Sequence, residues 1–259
     1  MRASRRVPGP FVIFCLAILL VPGVSPLGAD APNAREIVKA ALENWRGVSS
    51  YSEMAMTIRR PDWERTMSMR VWTEGQSRSL VRVTAPKKDA GNGTLLIDKD
   101  MWTFSPKVNR IIKIPSSMMS QSWMGSDFSN KDVSRSDEIL NQYEHFLLAT
   151  RSQDGMTVFV VESVPHDNAA VVWGKKVLHI RADHVLLAEE YFDQVGNLVK
   201  QLETLDIAEM GGRTIAVRQR MQKANVEGEW TEIRVDTAEY GIDLSPSIFT
   251  RSNLRNPRE

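Results

Sequence analysis

Short strand-like segments recur along most of this 259-residue chain and constrain its fold more than any other feature. Apolar and polar residues alternate within these segments, as they do in strands that bury one face. Glycine, proline, aspartate and asparagine separate neighbouring segments at a spacing of about ten residues. The pattern predicts an antiparallel sheet of about eleven strands, which we expect to curve into an incomplete β-barrel around an apolar cavity. The predicted fold class is mainly β with helices (α+β).

Two segments have the spacing of amphipathic helices instead. Asn33, with Glu36 three residues later, is typical of a helix start, and Gly47 ends the apolar pattern that follows. A second apolar set at helical spacing predicts another helix over residues 139–147. We expect helical segments to lie on the concave side of the sheet and to act as a lid over the cavity.

The first 29 residues are typical of a cleavable signal peptide. Arg2, Arg5 and Arg6 precede an unbroken apolar run over residues 11–21, and small residues lead to Ala29. Residues 1–29 therefore predict export, and residues 30–259 are expected to form a single domain. We predict a periplasmic location.

The only cysteine of the chain, Cys15, lies inside this leader. A bacterial lipoprotein signal needs a small residue immediately before its cysteine, and Phe14 stands there. The pattern therefore argues against lipid attachment. Cleavage would leave a chain with no disulfide and no thiol nucleophile.

The charge balance excludes some classes of partner. The whole chain has 33 basic and 32 acidic residues, and the leader holds three arginines and no acid, which leaves 30 against 32. Nothing in this balance indicates nucleic-acid binding. Residues 30–259 also contain no apolar run of about 20 residues, the length that a membrane-spanning helix needs.

No catalytic motif supports an enzyme. The sequence lacks HExxH, GxSxG, a P-loop and GxGxxG. Glu189 and Glu190 are adjacent on a predicted strand, so they point to opposite faces and cannot act as a pair. We predict a non-enzymatic protein without a cofactor or a metal.

The segment from residue 111 to residue 128, here called the Met/Trp segment, is the strongest functional signal. It combines methionine and tryptophan with serine and glycine, and methionine side chains repack readily around ligands of irregular shape. Further methionines alternate on two neighbouring predicted strands. We predict that these residues line a cavity or its lid, and the alternative that they only fill a core stays open. The predicted ligand-binding residues are Met54, Met56, Met67, Met69, Trp72, Trp102, Met118, Met119, Trp123, Met124 and Phe128.

Two basic residues flank an apolar pair at the start of this segment. Arg110 and Lys113 are candidate contacts for a lipid headgroup at the mouth of the cavity. The alternative is that they belong to a solvated strand face.

Residues 91–132, GNGTLLIDKDMWTFSPKVNRIIKIPSSMMSQSWMGSDFSNKD, resemble the outer-membrane lipoprotein-sorting, LolA-like superfamily of Gram-negative bacteria. More narrowly, they are similar to its poorly characterised branch of periplasmic proteins. The resemblance implies an incomplete antiparallel β-barrel with a helical lid and an apolar cavity for acyl chains.

The resemblance and the residues together predict a carrier of acylated cargo for lipoprotein sorting or lipid transport. Its expected partners are acyl chains of a lipoprotein or a phospholipid, an inner-membrane transporter or exporter, and an outer-membrane acceptor. We expect it to work as a monomer. The alternative is a lipid-sensing or adaptor module associated with an RND-type exporter. The sequence does not distinguish lipoprotein from free lipid, because both present acyl chains.

Overall fold

The computed structural model describes residues 32–134, 138–169 and 171–257. The predicted signal peptide lies outside the described residues. The helices are α1 (Ala34–Arg46), α2 (Asn130–Ser134), α3 (Glu138–Gln142) and α4 (Arg251–Arg255), with 3₁₀ turns at Ser116–Met118 and Pro246–Phe249. The strands are β1 (Ser49–Arg60), β2 (Trp63–Glu74), β3 (Arg78–Ala85), β4 (Gly93–Ile97), β5 (Asp100–Ser105), β6 (Arg110–Lys113), β7 (Tyr143–Gln153), β8 (Met156–Pro165), β9 (Lys175–Arg181), β10 (Leu186–Phe192), β11 (Leu198–Met210), β12 (Arg213–Lys223) and β13 (Trp230–Tyr240). Within the described ranges, no helix is both long enough and apolar enough to cross a membrane.

All thirteen strands belong to one antiparallel sheet that does not close on itself. Its order is β6-β5-β4-β3-β2-β1-β13-β12-β11-β10-β9-β8-β7. The chain therefore builds one half from β1 outward to β6, crosses to the opposite edge, and returns from β7 to pair β13 with β1. The connection over residues 114–142, which holds α2 and α3, must pass from one edge of the sheet to the other. The predicted incomplete barrel is confirmed.

Helix α1 forms as the sequence predicts. The Asn33 side chain accepts hydrogen bonds from the backbone N–H groups of Arg35 (2.9 Å) and Glu36 (3.3 Å), which satisfies donors that the first turn leaves unpaired. Gly47 ends the helix at φ 65°, a left-handed conformation that glycine adopts without strain. The apolar face, including Val38 and Ala41, is buried.

The second predicted helix is wrong beyond Gln142. Residues 143–153 form edge strand β7, which raises the strand count from about eleven to 13. Tyr143 is buried and pairs with Pro165, whereas Phe146 and Leu148 on the other face are 45% and 54% exposed. The apolar residues fit either period over such a short stretch, and pairing with β8 decides in favour of the strand.

The two faces of the sheet are covered by different parts of the chain. On the outer face, Leu80, Leu95 and Phe104 pack against Phe249 and Leu254 of the C-terminal segment. On the inner face, α1 packs over the β8–β9 region, and the Met/Trp segment packs over β1 to β5. The inner face is where a cavity remains.

Candidate ligand-binding cavity

A cavity of about 310 Å³ lies between the inner face of the sheet and the elements that cover it. This volume falls within the usual range for small-molecule sites. Helix α1 supplies Val38, Ala41, Leu42 and Trp45 to its wall. The Met/Trp segment and the two short helices that follow it supply the rest of the cover.

One half of the wall, formed by β1, β2, β3 and β13, carries no charged side chain and is mainly apolar, although it also includes Ser50, Ser52, Thr73 and Ser79. Met54 and Met69 face each other on β1 and β2, and Val71 and Val81 form the next pair across β2 and β3. Ile233 of β13 extends the same surface. Because alternate residues of a strand share a face, all of these side chains project inward.

The neighbouring methionine pair is packed rather than open. Met56 and Met67 also face each other on β1 and β2. They are 0% and 2% exposed and belong to the same buried cluster as Met119 and Trp123. Two residues along each strand therefore separate the cavity wall at Met54 and Met69 from the closed core at Met56 and Met67.

The Met/Trp segment is anchored to the sheet at its C-terminal end. Arg60 donates one hydrogen bond to each carboxylate oxygen of Asp127, both at 3.1 Å. The Thr231 hydroxyl donates to Asp127 at 2.7 Å and accepts from its backbone N–H at 2.9 Å. Arg65 donates to the carbonyl of Met124 at 2.9 Å. These buried, charge-assisted contacts make this part of the predicted lid a fixed wall.

The structure separates the eleven predicted cavity residues into four groups. Those that line the cavity are Met54, Met69, Trp123 and Phe128. Those packed in the buried core cluster behind it are Met56, Met67 and Met119. The two that are only partly buried at the covering segment are Met118 and Met124, of which Met124 packs against that core. The two on the outer face are Trp72 and Trp102.

The two outer tryptophans correct the sequence-based assignment to the cavity. Trp72 pairs with Leu80, and Trp102 pairs with Leu95, so both point away from the inner face. They pack against the C-terminal segment instead. The sequence gives the alternation within each strand but does not say which face encloses the cavity.

The predicted headgroup residues also lie elsewhere. Arg110 and Lys113 are on edge strand β6, and neither lines the cavity. Lys113 donates to Asp100 at 2.7 Å, and its ammonium lies 5.7 Å from the centroid of the Trp102 ring on the outer face. The solvated-strand alternative describes their surroundings better.

The other half of the wall carries charge, which the sequence did not predict. Lys176 of β9 pairs with Glu189 of β10 at 3.0 Å, and the Tyr191 hydroxyl donates to Glu189 at 2.8 Å. The Lys176 ammonium also lies 4.7 Å from the centroid of the Tyr191 ring. Lys131 and Glu138, on the short helices, form a second pair at 3.0 Å. Burial, followed by the charge of Glu189, raises the pKa of Tyr191 well above its usual range, so this hydroxyl remains a donor.

A third ion pair joins the short helix α2 to the sheet. Lys200 of β11 donates to Asp132, and the two side chains are 7% and 9% exposed. Ser129 donates to the same carboxylate from its backbone N–H at 2.7 Å and from its hydroxyl at 2.8 Å. Burial alone would raise the pKa of Asp132, but the Lys200 ammonium and the bonds from Ser129 outweigh it and lower this pKa. The pair is therefore charged and internally satisfied at neutral pH.

A second pocket, of about 290 Å³, lies on the far side of this ion pair. We call it the outer pocket, and its lining residues are Ser120, Ser122, Asp127, Phe128, Ser129, Lys131, Val172, Trp173, Val199, Lys200 and Lys223. Phe128, Lys131 and Trp173 line the inner cavity as well. Among the residues that the structure describes, these three border both spaces and therefore lie between them.

The two halves of the wall together can bind a molecule that has both apolar and polar parts. The apolar half can bury hydrocarbon, and the charged half offers paired ammonium, carboxylate and hydroxyl groups at the opposite end. No group of three histidine, cysteine, aspartate or glutamate side chains is positioned to hold a metal ion in the described ranges. Such a wall fits an amphiphile, which has one apolar part and one polar part.

Comparisons with known proteins agree on the fold. A family model described as that of an uncharacterized protein matches residues 75–256, which is more than half of the chain. No curated protein matches the sequence significantly.

Three crystal structures superpose on most of the chain. A DUF1329 family protein from Desulfovibrio piger is 25% identical, covers 85% of this chain and 97% of its own, and has a TM-score of 0.77. A domain assigned as an outer membrane lipoprotein-sorting protein from Vibrio parahaemolyticus is 24% identical, with coverage of 86% and 100% and a TM-score of 0.72. A LolA superfamily protein from Nitrosomonas europaea is 24% identical, with coverage of 86% and 99% and a TM-score of 0.71. The predicted LolA-like fold is confirmed.

Proposed function

We propose that this chain, which belongs to the family whose model matches residues 75–256 and has the LolA-like fold, is a periplasmic binding protein for acylated cargo. The observation that carries the proposal is the cavity of about 310 Å³ with one apolar half, enclosed between the sheet and its covering elements. The name of the Vibrio protein refers to outer-membrane lipoprotein sorting, and that of the Nitrosomonas protein to the LolA superfamily, and both support the proposal through their shared fold. The protein acts in this proposal by binding and transfer and not as an enzyme.

The apolar half supplies the driving force for capture. Burial of an acyl chain contributes about 0.8 kcal/mol for each methylene group. A chain that enters between Met54, Met69 and Val71 leaves water for a surface of flexible methionine and branched valine side chains. Even a partly inserted chain of eight methylenes would gain roughly 6 kcal/mol before the costs of ordering and association are subtracted.

The anchoring of the Met/Trp segment limits how cargo can enter. Arg60, Arg65 and Thr231 hold residues 124–127 to the sheet, so this stretch acts as a fixed wall in our proposal. Cargo would enter beside it, from an inner-membrane transporter or exporter, and would leave to an outer-membrane acceptor.

Native mass spectrometry combined with lipid extraction tests the proposal on the protein purified from a periplasm. Co-purified phospholipid or acylated peptide would support a carrier and would name the class of cargo. An empty protein that also fails to bind added lipid would contradict the proposal. That result would favour the alternative of an adaptor that acts through protein contacts with an exporter.

A further inference from the structure

Two of the lysines that line the outer pocket lie on neighbouring strands, and one of these two is paired with a carboxylate. Lys200 and Lys223 are direct cross-strand partners on β11 and β12. Asp132 neutralises Lys200, whereas Lys223 is exposed and has no acidic partner within 4.0 Å among the residues that the structure describes. Like charges directly opposite one another in a sheet repel each other, so an anion bound between the two ammonium groups would reduce this repulsion.

Two other charged residues that line the pocket are in ion pairs. Asp127 is paired with Arg60, and Lys131 is paired with Glu138. With Lys200 paired to Asp132, Lys223 is the charged lining residue for which the described residues provide no ion-pair partner. The Ser120 hydroxyl on the same wall can donate to an anionic oxygen, whereas the hydroxyl groups of Ser122 and Ser129 already donate to the Ser126 carbonyl and to Asp132.

The position of the pocket indicates what the anion is attached to. Phe128 and Trp173 border both the outer pocket and the inner cavity. Phe128 and Trp173 both pack against the buried cluster of Tyr191, Leu202 and Met221. A ligand that passes these two rings would place its charged group beside Lys223 and its hydrocarbon against the apolar wall.

We propose that the outer pocket binds the phosphate of an acylated lipid whose hydrocarbon occupies the inner cavity. This inference rests on the proposed function, and it narrows the cargo from any acylated molecule to a phosphorylated amphiphile such as a glycerophospholipid. The acylated cysteine of a lipoprotein carries no phosphate and would leave Lys223 without a partner. The phosphate would be held by a charge-assisted bond from Lys223 and by the Ser120 hydroxyl, with Lys200 contributing at close range.

Two ligands with the same single acyl chain separate the two parts of the inference. Lysophosphatidate carries a phosphate and monoacylglycerol does not, and both can be titrated below the concentration at which they form micelles. The proteins are the full chain, its Lys223→Gln variant, and Lys99→Gln as a control that removes one exposed lysine from a turn outside both spaces. We expect the unmodified protein to bind lysophosphatidate about tenfold more tightly than monoacylglycerol.

The Lys223→Gln variant should lose most of that difference while its affinity for monoacylglycerol stays the same, and Lys99→Gln should behave like the unmodified protein. If both lipids bind equally well, or if Lys223→Gln weakens both equally, the phosphate site is contradicted and the acyl-chain cavity is not. If neither lipid binds, the proposed function fails and this inference fails with it. Inorganic phosphate supplies the third arm, because binding of phosphate alone as tight as that of lysophosphatidate would assign the site to free phosphate and overturn the lipid.

Discussion

The two halves of the cavity wall are built on the same strand alternation but differ in chemistry. In the half formed by β1, β2, β3 and β13, inward positions hold methionine, valine and isoleucine together with uncharged serine and threonine. In the half formed by β9 and β10, inward positions include Lys176 and Glu189, which pair with each other, and Asp132 of α2 borders this half and pairs with Lys200 behind it. The comparison shows that the sequence pattern of a strand can identify an apolar cavity wall. A charged wall becomes visible only when the tertiary structure shows how its charges are paired.

The largest loss of stability is expected from breaking the buried ion pair of Lys200 and Asp132 beside the charged half. Lys200→Met leaves the Asp132 carboxylate buried without its cation, which should cost about 3 to 5 kcal/mol of unfolding free energy. Denaturant-induced unfolding measures this loss directly.

The control for this prediction removes both charges. Lys200→Met combined with Asp132→Leu should recover most of the stability, because a buried ion pair replaced by apolar side chains is often neutral in free energy. A double variant as unstable as the single one would show that Lys200 stabilises the sheet through contacts other than its pairing with Asp132.

The next effect compares the two methionine positions on β1. Met56→Ala removes a fully buried side chain and should cost about 2 to 5 kcal/mol of unfolding free energy. Met54→Ala removes a side chain that already borders a cavity and should cost only about 1 kcal/mol. In a lipid titration, Met54→Ala should still weaken acyl-chain binding by about fivefold. Equal losses of stability at both positions would mean that Met54 is core, as Met56 is.

The smallest effect is a pH dependence at His145, near the end of the charged half. Burial, and then the charge of Arg35, lowers the pKa of His145 below its usual value of 6.5. Its Nδ1 lies 2.8 Å from the Ser163 hydroxyl, and His166 is a further positive neighbour when protonated.

The unfolded chain therefore takes up a proton at His145 before the folded chain does. Its contribution to stability is complete above pH 6.5 and is lost as the pH falls through the folded-state pKa. Thermal unfolding scanned downward from neutral pH should show a shallow fall in melting temperature that is absent from His145→Gln. Asp132 causes a steeper loss of stability, but this loss occurs only below pH 3.8 because the folded-state pKa of Asp132 is lowered from that value. Identical profiles for the two proteins between neutral pH and pH 5 would contradict this assignment to His145.

The sequence predicted much of the fold because its local signals agree with the tertiary structure. Alternation and regularly spaced turns predicted the antiparallel meander, and Asn33 and Gly47 marked both ends of α1. The helix predicted over residues 139–147 failed because a short apolar stretch fits both periods. Pairing of residues 143–153 with β8 decides in favour of the strand, and this pairing is not visible in the local apolar pattern.

The candidate site was predicted in part. Met54, Met69, Trp123 and Phe128 line the cavity, so methionine clustering was a useful signal for its apolar half. Trp72 and Trp102 were assigned to the wrong face because composition carries no information about which side of a strand is enclosed. Lys200 was missed because a lysine in a strand normally indicates solvent exposure, and its buried partner Asp132 lies 68 positions away in the chain.

The central claim is that the inner cavity itself holds acyl chains, and a cavity-filling variant tests it most directly. Val71 projects into the cavity from β2, whereas Ser68 lies on the exposed face of the same strand. Val71→Trp should fill the space, and Ser68→Trp adds the same side chain outside it. Native mass spectrometry of both folded variants, each mixed with a single phospholipid, should show a lipid adduct on Ser68→Trp and none on Val71→Trp. An equal lipid adduct on Val71→Trp would place the lipid elsewhere on the protein and contradict the account.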